Sequence, residues 1–285
     1  MAQTMNNSRV AIVTGASRGM GREMAEAIIE AGGRAGLLSP DVDELNATVK
    51  EVSDRYGAGK ALALPYSISD YSQCERARDD TLEAFGDLHM VVNNAALGQL
   101  NVVPKGAPDT SINFWETDPK RWAQVIDVNV CGTYYMCRAI TPHMLEQGWG
   151  RIVNVTTSLG TMQRKGNAPY GPSKGAIEAE TLIFAQELEG TGVTSNSLIP
   201  GGAAATAFVP KNFLTERKLV DPAVMRRPIQ WLASDLSDNQ TGGRYVGMNW
   251  DEALDPNESA AGALEAPVYL APAGKQQSSR EWDKK

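Results

Sequence analysis

The chain has 285 residues, enough to bury a large core as one α/β domain. It carries 27 Lys and Arg against 34 Asp and Glu, a net charge of −7, with no basic cluster interleaved with aromatics, which argues against a nucleic-acid surface. No apolar run reaches the roughly 18 residues a membrane span needs, and the polar stretch up to Arg9 lacks a signal-peptide core. Three cysteines and two histidines form neither a disulfide framework nor a zinc site, so reduced thiols in a cytoplasmic protein are expected.

Val10-Ala11-Ile12-Val13 is a short β-branched run, the pattern of a strand buried on both faces of a parallel sheet. Thr14-Gly15-Ala16-Ser17-Arg18-Gly19-Met20-Gly21 follows at once. A helical pattern then places Met24, Ala27, Ile28 and Ala31 on one side and stops at Gly32-Gly33. Strand, glycine turn and helix together make a phosphate-binding expectation, because glycines let the backbone approach a pyrophosphate and the helix N-terminus attracts its charge.

Further strands are expected over 34–38, 61–64, 89–92, 151–155 and 194–198, with a seventh over 244–248. Helices are expected over 43–56, 71–85, 118 to about 137, and 170 to about 189. The alternation predicts a doubly wound parallel β-sheet flanked by helices, a Rossmann-type single domain over 1–251 with an extended C-terminal tail over 252–285. The tail is rich in Ala, Pro, Ser and Glu, a composition poor for an independent core; it either wraps a neighbouring subunit through Val268-Tyr269-Leu270 or stays loosely ordered.

Tyr170 and Lys174 are four residues apart and share one helix face. A free tyrosine titrates near ~10, and a fixed positive charge beside it favours the phenolate. Pro169 and Pro172 flank the tyrosine, which places it in the first helical turn.

These motifs resemble those of the short-chain dehydrogenase/reductase family over about 8–248. The resemblance rests on the glycine turn, Asn93-Asn94-Ala95, Asn129 between Val128 and Val130, the Tyr170–Lys174 pair and, more weakly, Pro200-Gly201. It implies hydride transfer between NADP(H) or NAD(H) and a secondary alcohol or ketone, with Tyr170 as general acid/base. Lys174 would hold the nicotinamide ribose and depress the tyrosine pKa. Asn129 would anchor a relay water, or serve as a helix-packing amide. The family's catalytic serine falls at Thr157, with Ser158 next to it; we place the role on Thr157, whose hydroxyl offers the same donor and acceptors. The cofactor would contact Gly15, Ser17, Arg18, Gly19, Met20, Gly21, Ser39, Ser67, Ile68, Asn93, Ala95, Tyr170, Lys174, Pro200 and Gly201. The resemblance also implies a homodimer or homotetramer. Other readings of such a chain are a dinucleotide-binding sensor or scaffold without turnover, and a lyase or epimerase using the tyrosine alone.

An acid at the end of the second strand would signal NAD, and a basic residue nearby NADP. Ser39 occupies that place, followed by Pro40 and Asp41, while Arg18 could pair with a 2′-phosphate, so NADP(H) is favoured and NAD(H) possible. The connection over 97–117, with Asn101, Lys105, Asp109, Phe114 and Trp115, is expected to overhang the nicotinamide pocket or to be a surface loop. Gly201-Gly202-Ala203-Ala204-Ala205-Thr206 is small and smooth, and Phe208, Val209 and Phe213 are candidates for a lid over an aromatic or cyclic carbonyl.

Overall fold

Alternate residues of a strand face opposite ways, and the fold uses both faces. In β1 (Val10–Thr14), Ala11 and Val13 enter one buried cluster while Val10 and Ile12 enter another. The computed structural model describes residues 9–104, 112–206, 208 and 219–268. From β1 the chain continues through α1 (Gly19–Glu30), β2 (Arg34–Leu38), α2 (Val42–Tyr56), β3 (Ala61–Leu64), α3 (Tyr71–Phe85) and β4 (Met90–Asn93). The second half runs α4 (Pro119–Ile126), α5 (Gly132–Gln147), β5 (Gly150–Val155), α6 (Leu159–Met162), α7 (Tyr170–Glu187) and β6 (Val193–Ile199). It closes with α8 (Arg226–Leu232), β7 (Arg244–Val246), α9 (Pro256–Ala263) and β8 (Leu264–Glu265).

The strands form one sheet in the order β3-β2-β1-β4-β5-β6-β7-β8. All pairings are parallel except that of β7 with β8. One face is covered by α1, α2, α8 and α9 through Met24, Ile28, Leu45, Ile229, Trp231 and Ala260. The other is covered by α3 and α5 through Cys74, Ala77, Met136, Ile140 and Met144. The chain leaves β1 toward β2 on one side and meets β4 on the other, so a crevice opens beyond the carboxyl ends of β1 and β4.

Two regions differ from the sequence expectation. The helix expected over 118 to about 137 is two helices separated by a wide π-type turn, Asp127–Cys131, and α5 runs on past Pro142 to Gln147, where Gly148 ends it in a left-handed conformation. In the C-terminal segment, α9 buries Ser259, Ala260 and Ala263 and is tied down by Trp231, whose Nε1 donates to Asn257 Oδ1 at 2.8 Å. Small residues suffice there because Trp231 fills the volume, packing at 5.1 Å from Tyr245 and 6.0 Å from Trp250. Tyr269 and Leu270 lie outside the described residues.

Candidate active site

The glycine turn lies in the crevice with no room for side chains. Gly15 has φ +64°, and a Cβ there would lie 2.9 Å from Ala95 Cα, while one on Gly21 would lie 2.2 Å from Gly15 O. The turn is fastened on both sides: Gly15 N–H donates to Leu38 O at 2.8 Å, and Asn94 Nδ2 donates to Thr14 O at 2.9 Å and Gly15 O at 3.2 Å. Thr14 Oγ1 accepts from the backbone N–H of Asn94 and Ala95, each at 3.0 Å. Helix α1 starts at Gly19 with no side-chain cap and no acid in its first turn, leaving its N-terminal dipole to an outside anion. Met20 packs partly against the core beneath it.

Asn94, rather than Asn93, is the residue that locks this turn. Asn93 points its side chain into the sheet, donating to Asn154 Oδ1 at 2.9 Å and Cys137 Sγ at 3.3 Å. Strand alternation carries that signal, since Asn93 lies two residues after Val91, which faces the α5 side.

At the rim, Arg18 Nη1 donates to both carboxylate oxygens of Glu44 at 2.9 Å, and Ser17 Oγ donates to Glu44 Oε2 at 2.8 Å. Ser39 is buried at the end of β2, its Oγ accepting from Asp41 N–H at 3.2 Å. Ser67 bonds its neighbour Ser69 at 2.8 Å and takes the Gln73 side chain on its backbone N–H, whereas Ile68 is buried against Gly132. Nothing in the sequence signals Glu44, a residue in the first turn of α2.

Tyr170 is the first residue of α7, as its flanking prolines require. Burial pushes its phenol up to about 12, while the hydrogen bond with the Thr157 side chain and the nearby Arg164 charge pull it down. Lys174 is buried, with Nζ 5.8 Å from the Tyr170 ring centre and donating to Val155 O at 2.8 Å. Burial lowers this ammonium to about 8 against the opposing pull of Glu178. Burial thus dominates the tyrosine, with Thr157 and Arg164 opposing it, while the Lys174 ammonium is turned to the end of β5. Ser158 is exposed and caps α6, with its Oγ accepting from Thr161 N–H at 3.3 Å.

Asn129 is wholly buried in the π-type turn. Its Oδ1 accepts from Leu97 N–H at 2.7 Å, and its Nδ2 donates to Leu97 O at 3.0 Å and Ser173 Oγ at 2.9 Å. The amide thus joins the loop after β4 to the residue preceding Lys174.

The segment after β6 reaches this group. A Cβ on Gly19 would lie 3.0 Å from Thr206 Cγ2, so the segment after β6 reaches the start of α1. Phe208 lies with its ring centre 5.4 Å from that of Tyr170 and fills the space beside Gly98. Pro200 is buried, its carbonyl accepting from Met248 N–H at 3.1 Å, and Gly201 follows at the surface. A cavity of about 630 Å³ opens there, lined by residues including Gly202, Val220 and Trp250 and by none of Asn129, Thr157, Tyr170 or Lys174. In the loop over 97–117, Phe114 and Trp115 pack edge to face at 5.0 Å and are 68% and 69% exposed. Lys105, Asp109, Val209 and Phe213 lie outside the described residues.

The family model for short chain dehydrogenase matches residues 9–216. The chain belongs to the short-chain dehydrogenase/reductase family. It is 34% identical over 206 residues to a short-chain type dehydrogenase/reductase of Picea abies, covering 70% of this chain and 72% of the relative. It is 32% identical over 192 residues to a 2-dehydro-3-deoxy-L-rhamnonate dehydrogenase (NAD(+)) of Sphingomonas sp., covering 67% and 71%. Among solved structures it resembles the 3-ketoacyl-(acyl-carrier-protein) reductase of Brucella melitensis complexed with NADH, with TM-score 0.73 and 26% identity over 84% of this chain and 96% of the other. The protein is thus an oxidoreductase of this dehydrogenase/reductase family, built on the family's Rossmann-type sheet.

Proposed function

We propose that the enzyme moves a hydride between a nicotinamide dinucleotide and a secondary alcohol or ketone, with Tyr170 as the general acid/base. The observation that carries this is the grouping of Tyr170, Thr157 and Lys174 at the carboxyl end of β5, beside the crevice. The described residues suit the dinucleotide: Gly15 and Gly21 let the turn pack directly against Ala95 and against itself, and α1 starts uncapped beside it. Gly15, Ser17, Arg18, Gly19, Met20 and Gly21 would hold its diphosphate and adenosine half, with Ser39, Ser67, Ile68, Asn93 and Ala95 along the crevice and Pro200-Gly201 toward the nicotinamide. When bound, the dinucleotide supplies or accepts the hydride.

Tyr170 then gives its proton to the substrate oxygen in reduction, or takes it in oxidation. Thr157 hydrogen-bonds the phenol and the same oxygen, fixing the carbonyl within reach. Lys174 would hold the ribose of the dinucleotide, and its positive charge would favour the phenolate. Asn129 fastens the loop after β4 to α7 and would anchor a relay water.

NADP(H) is the favoured cofactor in this reading, because no acid stands at Ser39. Glu44 tempers that preference by filling the Arg18 fork and neutralising its charge. A homodimer or homotetramer is supported by exposed apolar Tyr134 and Leu145 on α5 and Ile183 on α7. The three cysteines are free thiols, two of them buried, which suits a cytoplasmic setting. No described helix is long and apolar enough to cross a membrane. We treat residues 1–251 as the catalytic domain and 252–285 as an appended segment.

A panel of aromatic and cyclic ketones assayed with NADPH and NADH tests the reading. Turnover with at least one ketone is expected. Tight dinucleotide binding without turnover on any ketone or alcohol would instead indicate a sensor or scaffold.

A further inference from the structure

The residues that carry the Thr157 hydroxyl are held from below by a buried ion cluster that the reaction does not itself require. Arg244, at the start of β7, is buried and its guanidinium has three partners. Nε donates to Glu178 Oε1 at 3.1 Å, Nη2 donates to the Thr157 carbonyl at 2.9 Å, and Nη1 pairs with Glu265 of β8. Glu178 is equally buried and also accepts from Thr156 Oγ1. The backbone N–H of Thr156 donates to Leu198 O at 3.0 Å. Each residue from Val155 to Thr157 is thus fixed by another element: Val155 by Lys174, Thr156 by Glu178 and β6, Thr157 by Arg244.

Charge balance alone does not account for this arrangement. Glu178 would neutralise Arg244 by itself, yet the fork spends one arm on a neutral carbonyl at the position whose side chain meets Tyr170. Arg151, the other deeply buried arginine of the sheet, provides a comparison. It pairs with Asp238 and donates to Gly150 O and Ser234 O, and its strand position is level with Thr194, at the opposite end of β6 from Ser197, which is level with Arg244.

We propose that Arg244 is a positioning residue for the Thr157 hydroxyl, and that the C-terminal segment reaches the reacting centre through Glu265 and this guanidinium. The proposal rests on the dehydrogenase reading above. Arg244 fixes the Thr157 backbone, the backbone sets where the hydroxyl points, and the hydroxyl orients the substrate oxygen against Tyr170. Lysine at 244 keeps a charge for Glu178 but has no planar fork to hold Glu178, Glu265 and the carbonyl together.

The test is steady-state kinetics on Arg244→Lys, Thr157→Val and the double variant, alongside dinucleotide affinity by fluorescence titration and the fraction of folded sites. Small misplacements of a reacting group cost large factors in rate, so Arg244→Lys is expected to lose about 10-fold in kcat with dinucleotide Kd within about 2-fold of the parent. In the Thr157→Val background the same change is expected to cost less than about 2-fold, because the hydroxyl it positions is gone. An unchanged kcat per folded site, or a full and additive loss in the double variant, overturns the proposal. Should the lysine variant fold poorly, Glu265→Gln loosens the guanidinium from its half-exposed end while leaving Glu178 paired; a kcat loss of about 3-fold with unchanged Kd supports the proposal, and unchanged kcat overturns it. A parent enzyme with no turnover on any substrate would sink the dehydrogenase reading itself, which is a different result from either.

Discussion

Arg151 and Arg244 are both buried in the sheet and both paired to an acid, yet they lie at opposite ends of the strands and do different work. Arg151 closes the amino end, sandwiched against Trp149 at 3.9 Å and bonded to an acid that is itself 49% exposed. Arg244 lies toward the carboxyl end, bonded to an acid only 2% exposed and to the loop that carries Thr157. The difference shows that burial alone does not tell what a charge is for. The crevice is at the carboxyl end, so the same chemistry there becomes part of the site.

The comparison breaks most severely with Arg244→Met, which removes the guanidinium bonded to buried Glu178 and leaves it only the charge of Lys174 on the same helix. A loss of about 3–5 kcal/mol in unfolding free energy is expected by urea denaturation. A loss comparable to that of Arg151→Met would erase the distinction drawn here.

Lys174 sharpens the contrast as the other buried cation at the carboxyl end. The unfolded lysine keeps its proton to about 10.5, while the folded one gives it up near 8. Between these values the unfolded state binds more protons, so this residue's contribution to stability rises as pH rises from 8 to 10.5. The full span is on the order of 3 kcal/mol. Lys174→Met should remove that rise from the difference between parent and variant urea midpoints at the two pH values; an identical pH dependence in both would refute it. Arg151→Met should cost less, about 1–3 kcal/mol, since Asp238 can turn to water and the loss is confined to the bonds to two carbonyls and the stacking on Trp149. Its kcat per folded site should match the parent.

The smallest effect belongs to the exposed version of the same ion pair. Arg18 is 60% and Glu44 34% exposed at the side chain, so breaking their pair costs about 1 kcal/mol or less. Glu44→Gln frees the Arg18 fork and is expected to tighten NADPH by about 3–5-fold with NADH nearly unchanged. Equal shifts for both cofactors in a thermal-shift titration would show that Glu44 has no part in the choice.

Much of this could be read from the chain alone. The apolar runs of β1, β4 and β5 and the i, i+4 spacing of Tyr170 and Lys174 are local patterns, and the alternation of strands and helices carries the parallel doubly wound class. Arg244 and Glu178 could not be read so, since they are 66 residues apart and an arginine in a short strand looks like a solvent-facing residue. The π-type turn at Asn129 was hidden because a helical period runs through both flanking helices. Helix α9 was hidden because its buried face is Ser259, Ala260 and Ala263, small residues whose packing depends on Trp231. Asn93 and Asn94 are told apart by the alternation of β4, which turns the Asn93 side chain into the sheet and leaves that of Asn94 to fasten the glycine turn. The expected influence of Lys174 on Tyr170 met a contact that spacing does not encode, the Val155 carbonyl.

Tyr170→Phe is the most direct test of the central claim, measured as kcat with a turned-over ketone at saturating dinucleotide together with dinucleotide Kd by titration. Loss of the proton-transfer group should lower kcat by about 10²-fold or more while Kd stays within a few-fold of the parent. A variant that turns over at the parent's rate with the same Kd would contradict the assignment of Tyr170 as the acid/base.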